Sequence, residues 1–187
     1  MSGTGKTIRT GAAALTVTLS LLTAWLCPSC SGCSGHRGGE SGEPSAEKPA
    51  PEAILATPAV LDEQALRSYA NAVSRNADFD AADMATMIRL SEGALNRLGQ
   101  ETERLEVNDD PADSYNVLTE LAGRQWVGDA CTIIAFLRTV PLGPEMRPHT
   151  DQLVRTAARI STTLDAIAGS QLGGKRYLTL DIEPRRN

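Results

Sequence analysis

Four cysteines and two histidines are the residues of this 187-residue chain best suited to metal, redox or nucleophilic chemistry. Three of the cysteines stand together in Cys27-Pro28-Ser29-Cys30-Ser31-Gly32-Cys33, with His36 close behind. Alone, that spacing could serve a zinc or iron–sulfur site, because thiolates and imidazole are the ligands such centres take. The preceding residues argue for a different chemistry. Lys6 and Arg9 form a basic start, and no charged residue occurs from Thr10 to Gly35. Within that stretch an apolar run extends from Ala12 to Leu26, about the length of a signal-peptide core and interrupted by Thr and Ser. Residues 1–33 are therefore expected to be an export signal, and the cysteines lie where such a leader is cut.

The cysteine run resembles a lipoprotein processing box, in which small residues precede a cysteine whose thiol carries the lipid. Cys33 has Ser31 and Gly32 before it, but Cys30 where that box usually has leucine. Cys30 has Ser29 before it, followed upstream by an awkward Pro28, and Cys27 follows the bulky Leu26. The expected lipidation sites are Cys33 and Cys30. Each buried methylene of an attached chain would contribute about 0.8 kcal/mol to membrane binding, so several chains give a lasting anchor.

The fourth cysteine, Cys131, lies in the apolar stretch Val127–Ile134 and reads as a buried structural thiol. A nucleophilic role would need a histidine beside it, and His149 falls at the start of a separate helix. Other motifs are incomplete. Ser2-Gly3-Thr4-Gly5-Lys6-Thr7 matches the end of a phosphate-binding loop without the earlier glycine or a preceding strand. No Glu-x-x-His pair, Cys-x-x-Cys-His run, Gly-x-Ser-x-Gly elbow or His-Glu-x-x-His helix occurs in the sequence. No cofactor and no metal is expected.

Phe79-Asp80-Ala81-Ala82-Asp83-Met84-Ala85 resembles the end of a dockerin-type calcium loop and the start of its helix. In that register the first ligand positions fall on Ala72, Ser74 and Asn76, and the required glycine is Ala77. The two aspartates therefore read as a helix cap with an acid in the first turn. Glu101, Glu103, Glu106, Asp109, Asp110 and Asp113 form the densest acidic stretch and read as one helix end followed by another helix start.

The elements that must position these groups follow from composition and period. Residues 34–58 are rich in Gly, Ser, Glu, Pro and Ala, the composition of a disordered tether. A flexible chain of about 25 residues spans roughly 25–30 Å. Residues 59–170 carry apolar side chains at three- and four-residue steps and predict an all-α domain, an antiparallel bundle of about four amphipathic helices. The first runs over about 62–75 and the second over about 80–106. The third opens at Asp110-Pro111-Ala112-Asp113 and continues to Val140, and the fourth runs from about Pro148 to Gly169. Residues 171–187, where Leu178, Leu180 and Ile182 alternate, are expected to lie as an extended tail on the bundle or on a partner.

The formal charge is −5, from 18 basic and 23 acidic residues, and becomes about −7 once Lys6 and Arg9 leave with the leader. That balance disfavours nucleic acid, whose phosphates require a basic surface. The expected function is that of an exported bacterial cell-envelope lipoprotein, with a helical domain that binds or scaffolds a protein partner. The alternative is a small-ligand-binding or enzymatic bundle in the periplasm using Arg124, Gln125 and Trp126, with Cys131 nearby. A calcium- or metal-binding module is the third alternative.

Overall fold

A computed structural model describes residues 48–184. The leader, the cysteines at 27, 30 and 33, His36 and the tether as far as residue 47 lie outside the described residues. The described chain is all-α, with six helices: α1 Pro51–Leu55, α2 Glu63–Ser74, α3 Ala81–Glu106, α4 Pro111–Gly123, α5 Gln125–Leu137 and α6 Arg147–Gln171.

Local chemistry sets most of the boundaries. Asp62 caps α2 by accepting from the Ala65 amide at 2.9 Å. Asp80 accepts from the Asp83 amide at 2.8 Å, while the Asp83 carboxylate accepts from the Asp80 amide at 3.3 Å, a reciprocal capping box at the start of α3. Asp110 accepts from the Ala112 amide at 2.9 Å, and Pro111 occupies the first turn of α4, where a missing N–H costs nothing.

α3 is the centre of the fold and packs against α1, α2, α5 and α6. Its inward stripe is Met87, Ile88, Ser91, Leu95, Leu98, Thr102 and Leu105, all buried. The stripe of α6, Leu153, Ala157, Ile160, Leu164 and Ile167, is buried as well. α5 lies between α2, α3 and α6 and buries Trp126, Val127, Ala130, Ile133, Ile134 and Leu137.

The third expected helix is two helices. Arg124, with φ −75° and ψ 114°, is extended and serves as the last cap of α4 and the first cap of α5. Gly123 precedes it, and glycine is a poor helix former by about 1 kcal/mol relative to alanine. The break separates two burial patterns. α4 buries only Ser114, Leu118 and Leu121, whereas α5 is apolar around most of its circumference. Tyr115 and Ala122, which share the three- and four-residue apolar spacing of the single expected helix, are exposed.

The stretch assigned by composition to the tether also contains structure before its expected end at residue 58. Pro51 opens α1, and Ile54 and Leu55 pack half-buried against the core. The chain then crosses α3 at Gly93. A β-carbon at that position would lie 2.7 Å from the Leu61 amide nitrogen and closer still to the Val60 carbonyl, so the crossing requires glycine.

Beyond α6 no strand forms among the described residues. Leu180 and Ile182 are buried, the Arg138 Nη1 donates to the Ile182 carbonyl at 2.7 Å, and Tyr177 meets Tyr115 edge-on at 5.1 Å. This segment lies on the helices as extended chain.

Candidate functional site

Most groups singled out by sequence are committed to the fold. Trp126 is 5% exposed and part of the core. Arg124 and Gln125 are exposed, and Arg124 pairs along its own surface with Glu120. The three residues do not converge on one cavity, because the helix break points the tryptophan inward and leaves its neighbours in solvent. Cys33 and Cys30 fall outside the described residues.

Cys131 is buried and free. Burial pushes its thiol up to about 11, and the nearby Asp181 charge adds to the rise. A thiol so held stays protonated near neutrality and is a poor nucleophile. His149 lies with α6, and its Nδ1 stands 3.0 Å from Glu92 on α3 rather than near the thiol. Glu92 also pairs with Arg89, whose guanidinium donates to the Thr57 carbonyl. These three side chains form a strut joining α3, α6 and the segment after α1.

Half of the acidic stretch is engaged, while Glu103, Glu106 and Asp109 are exposed and have no side-chain partner among the described residues. Glu101 is 8% exposed and is held by Arg97 at 2.6 Å and Arg104 at 2.9 Å. Asp113 accepts from the Asn108 side-chain amide at 2.6 Å, and Asp110 is the α4 cap. At the start of α3, Lys48 reaches Asp80 at 2.7 Å and Asp83 at 3.0 Å, while the Tyr69 hydroxyl donates to Asp83 at 3.2 Å. The Lys48 ammonium holds the Asp80 carboxyl below its usual range. Burial, followed by the Asp83 charge, raises Tyr69. No cluster of three or more His, Cys, Asp or Glu side chains suited to a metal occurs among the described residues.

A different place gathers groups with free capacity. The end of α5, the connection over residues 138–146 and the first two turns of α6 enclose an open cleft of about 540 Å³. Leu137, Val140, Pro141, Leu142 and Val154 supply its apolar wall. Arg138, Arg147 and Arg155 supply guanidinium groups, and Asp151 is the acid among the lining residues. Residues 147, 151 and 155 are four apart and share one face of α6.

These arginines are unequally engaged. Arg138 pairs with Glu183 at 3.2 Å as well as holding the Ile182 carbonyl. Arg147 uses its Nε on the Leu142 carbonyl at 3.1 Å, and Arg155 donates to the neutral Gln152 side chain at 3.1 and 3.4 Å. Neither Arg147 nor Arg155 has a carboxylate within ion-pair distance among the described residues. Thr150, 5% exposed, also lines the cleft, and its hydroxyl is buried without a hydrogen-bond partner.

Sequence reasoning missed this cleft because its arginines come from both ends of the connection between α5 and α6 and belong to no motif. The available signal was Arg138 before and Arg147 after the Pro141-Leu142-Gly143-Pro144 turn, which folds the two helix ends together.

Protein-family models, curated proteins and solved structures contain no significant match to the chain.

Proposed function

We propose that this protein is an exported cell-envelope lipoprotein that holds a helical interaction domain at a bacterial membrane. The observation that carries the reading is the order of features at its start: a basic pair, an uncharged apolar run and the cluster Cys27, Cys30 and Cys33. The first serves export, the second matches a cleavable leader in length, and the third supplies a thiol for acylation. Cys33 and Cys30 are the proposed acylated residues.

The arrangement of the folded part supports an interaction role over a catalytic one. Cys131 is enclosed, His149 is tied to Glu92, Glu101 is held by two arginines, Asp113 by Asn108, and Asp110 is a helix cap. The thiol and the imidazole, the two groups best suited to nucleophilic chemistry, are thus enclosed or engaged within the domain. In this reading α2, α3, α5 and α6 form the antiparallel bundle, and its outer surface meets a protein partner in the envelope.

Metabolic labelling with a radioactive fatty acid tests the anchor. The wild-type chain should incorporate label, and either Cys33→Ser or Cys30→Ser should abolish it. A wild-type chain that carries no label would overturn the proposal.

A second reading, a small-ligand carrier, is favoured by the cleft between α5 and α6 and its uncommitted guanidinium groups.

A further inference from the structure

We infer that the cleft between the end of α5 and the start of α6 binds an amphipathic anion, a phosphate or carboxylate head on a short hydrocarbon body. Four observations meet there. The cleft holds about 540 Å³, within the ordinary range for small-molecule sites. Arg147 and Arg155 lie on one face of α6 with no carboxylate partner among the described residues, while Arg138, just past the end of α5, also lines the cleft. Guanidinium forks match the geometry of both phosphate and carboxylate.

The start of α6 adds to the attraction. It has no side-chain cap and no acid in its first turn; Pro148 lacks an N–H and the Arg147 amide bonds to the Gly143 carbonyl, so the helix dipole rather than a row of free amides carries positive potential into the cleft end. The Thr150 hydroxyl is the independent sign of a missing partner. It is buried on the cleft-lining turn with neither donor nor acceptor matched, which folded proteins rarely leave uncompensated. An anionic oxygen at the cleft floor could accept its proton after a small adjustment of the side chain.

The remaining lining decides the rest of the ligand. Leu137, Val140, Pro141, Leu142 and Val154 offer nothing to a bare ion but would cover a hydrocarbon body. Opposing charges are also present. Asp151 lies in the lining, Glu183 is paired with Arg138, and Glu145 lies against Gly143 in the connection. Asp151 stands between Arg147 and Arg155 on α6. Its charge would repel the anionic head from the middle of that face and direct it toward the helix start.

This inference concerns the folded domain and does not depend on acylation. Calorimetric titration of the full-length chain with hexyl phosphate, inorganic phosphate, hexanoate and hexyltrimethylammonium tests it. Hexyl phosphate and hexanoate should bind, inorganic phosphate should bind at least about tenfold more weakly, and the cation should not bind. Arg147→Gln and Arg155→Gln should each weaken hexyl phosphate about tenfold, with less binding at high salt. Arg155 is exposed and bonds only to Gln152, so the melting temperature of Arg155→Gln without ligand should hold, whereas Arg147→Gln also loses the bond to the Leu142 carbonyl. Arg159→Gln, on an exposed part of α6 outside the cleft, should change nothing.

Vesicles containing a phosphate-monoester lipid provide the last arm. Displacement of hexyl phosphate by them assigns the head to a lipid, and failure to displace assigns it to a soluble anion. Equal binding of the cation, equal binding of inorganic phosphate, no binding of either anion, or unchanged affinity in both arginine variants would each overturn the inference.

Discussion

The Cys131 thiol sits on α5 among buried neighbours, with the Asp181 charge close enough to disfavour a second negative group. Its acidity and its reactivity follow from the same enclosure. Iodoacetamide at pH 8 should therefore alkylate Cys131 at least about tenfold more slowly in the folded chain than in urea. Mass spectrometry of the Cys131 peptide reads the ratio, and equal rates would contradict its burial. Asp129 shows how burial also acts on a carboxylate. Burial raises its proton affinity, and Arg67, 3.7 Å away, only partly opposes the rise. The folded state then holds the Asp129 proton more tightly than the unfolded state. This group favours folding in acid, and that contribution is lost as pH rises from the usual carboxylate value through the raised one. Asp129→Asn cannot ionise, so its urea midpoint should gain on wild type between about pH 3 and pH 6. A constant difference across that range would remove Asp129 from the pH response.

The helices show which sequence signals survive folding and which depend on contacts. α2, α3 and α6 were legible because each carries a long one-sided apolar stripe with a clear start or stop. The caps at Asp80 and Asp110 were legible because their chemistry is local, whereas the Asp62 cap emerged with the structure. The division at Arg124 was hidden because α5 has apolar residues nearly all round, which leaves no stripe whose phase could be seen to change. α1 was hidden by its composition. Its proline and small residues read as linker, while its order comes from packing on α3 and from the Arg89 bond to Thr57. The cleft was illegible because its arginines meet only through the turn between α5 and α6. Gly93 is the residue on which the α1 crossing depends. Gly93→Ala should destabilise the domain by about 1–3 kcal/mol through overpacking against Val60 and Leu61. Urea denaturation followed by circular dichroism measures it, and a neutral substitution would show that the crossing has room to move.

At the scale of the whole molecule, the proposed roles divide between attachment and recognition. Among the described residues no helix is long and apolar enough to cross a membrane. The proposed attachment rests on the first 33 residues and the proposed recognition on the helices. A net acidic protein with an arginine-lined cleft would draw an anion to one place on its surface rather than to the surface at large. Export and acylation are the central claim, and the intact mass of the wild-type chain extracted from membranes tests them most directly. The predicted mass is that of a chain beginning at Cys33 or Cys30 with fatty-acyl groups added at that cysteine. A chain retaining all 187 residues without acyl mass, or a processed chain without lipid, would contradict the account.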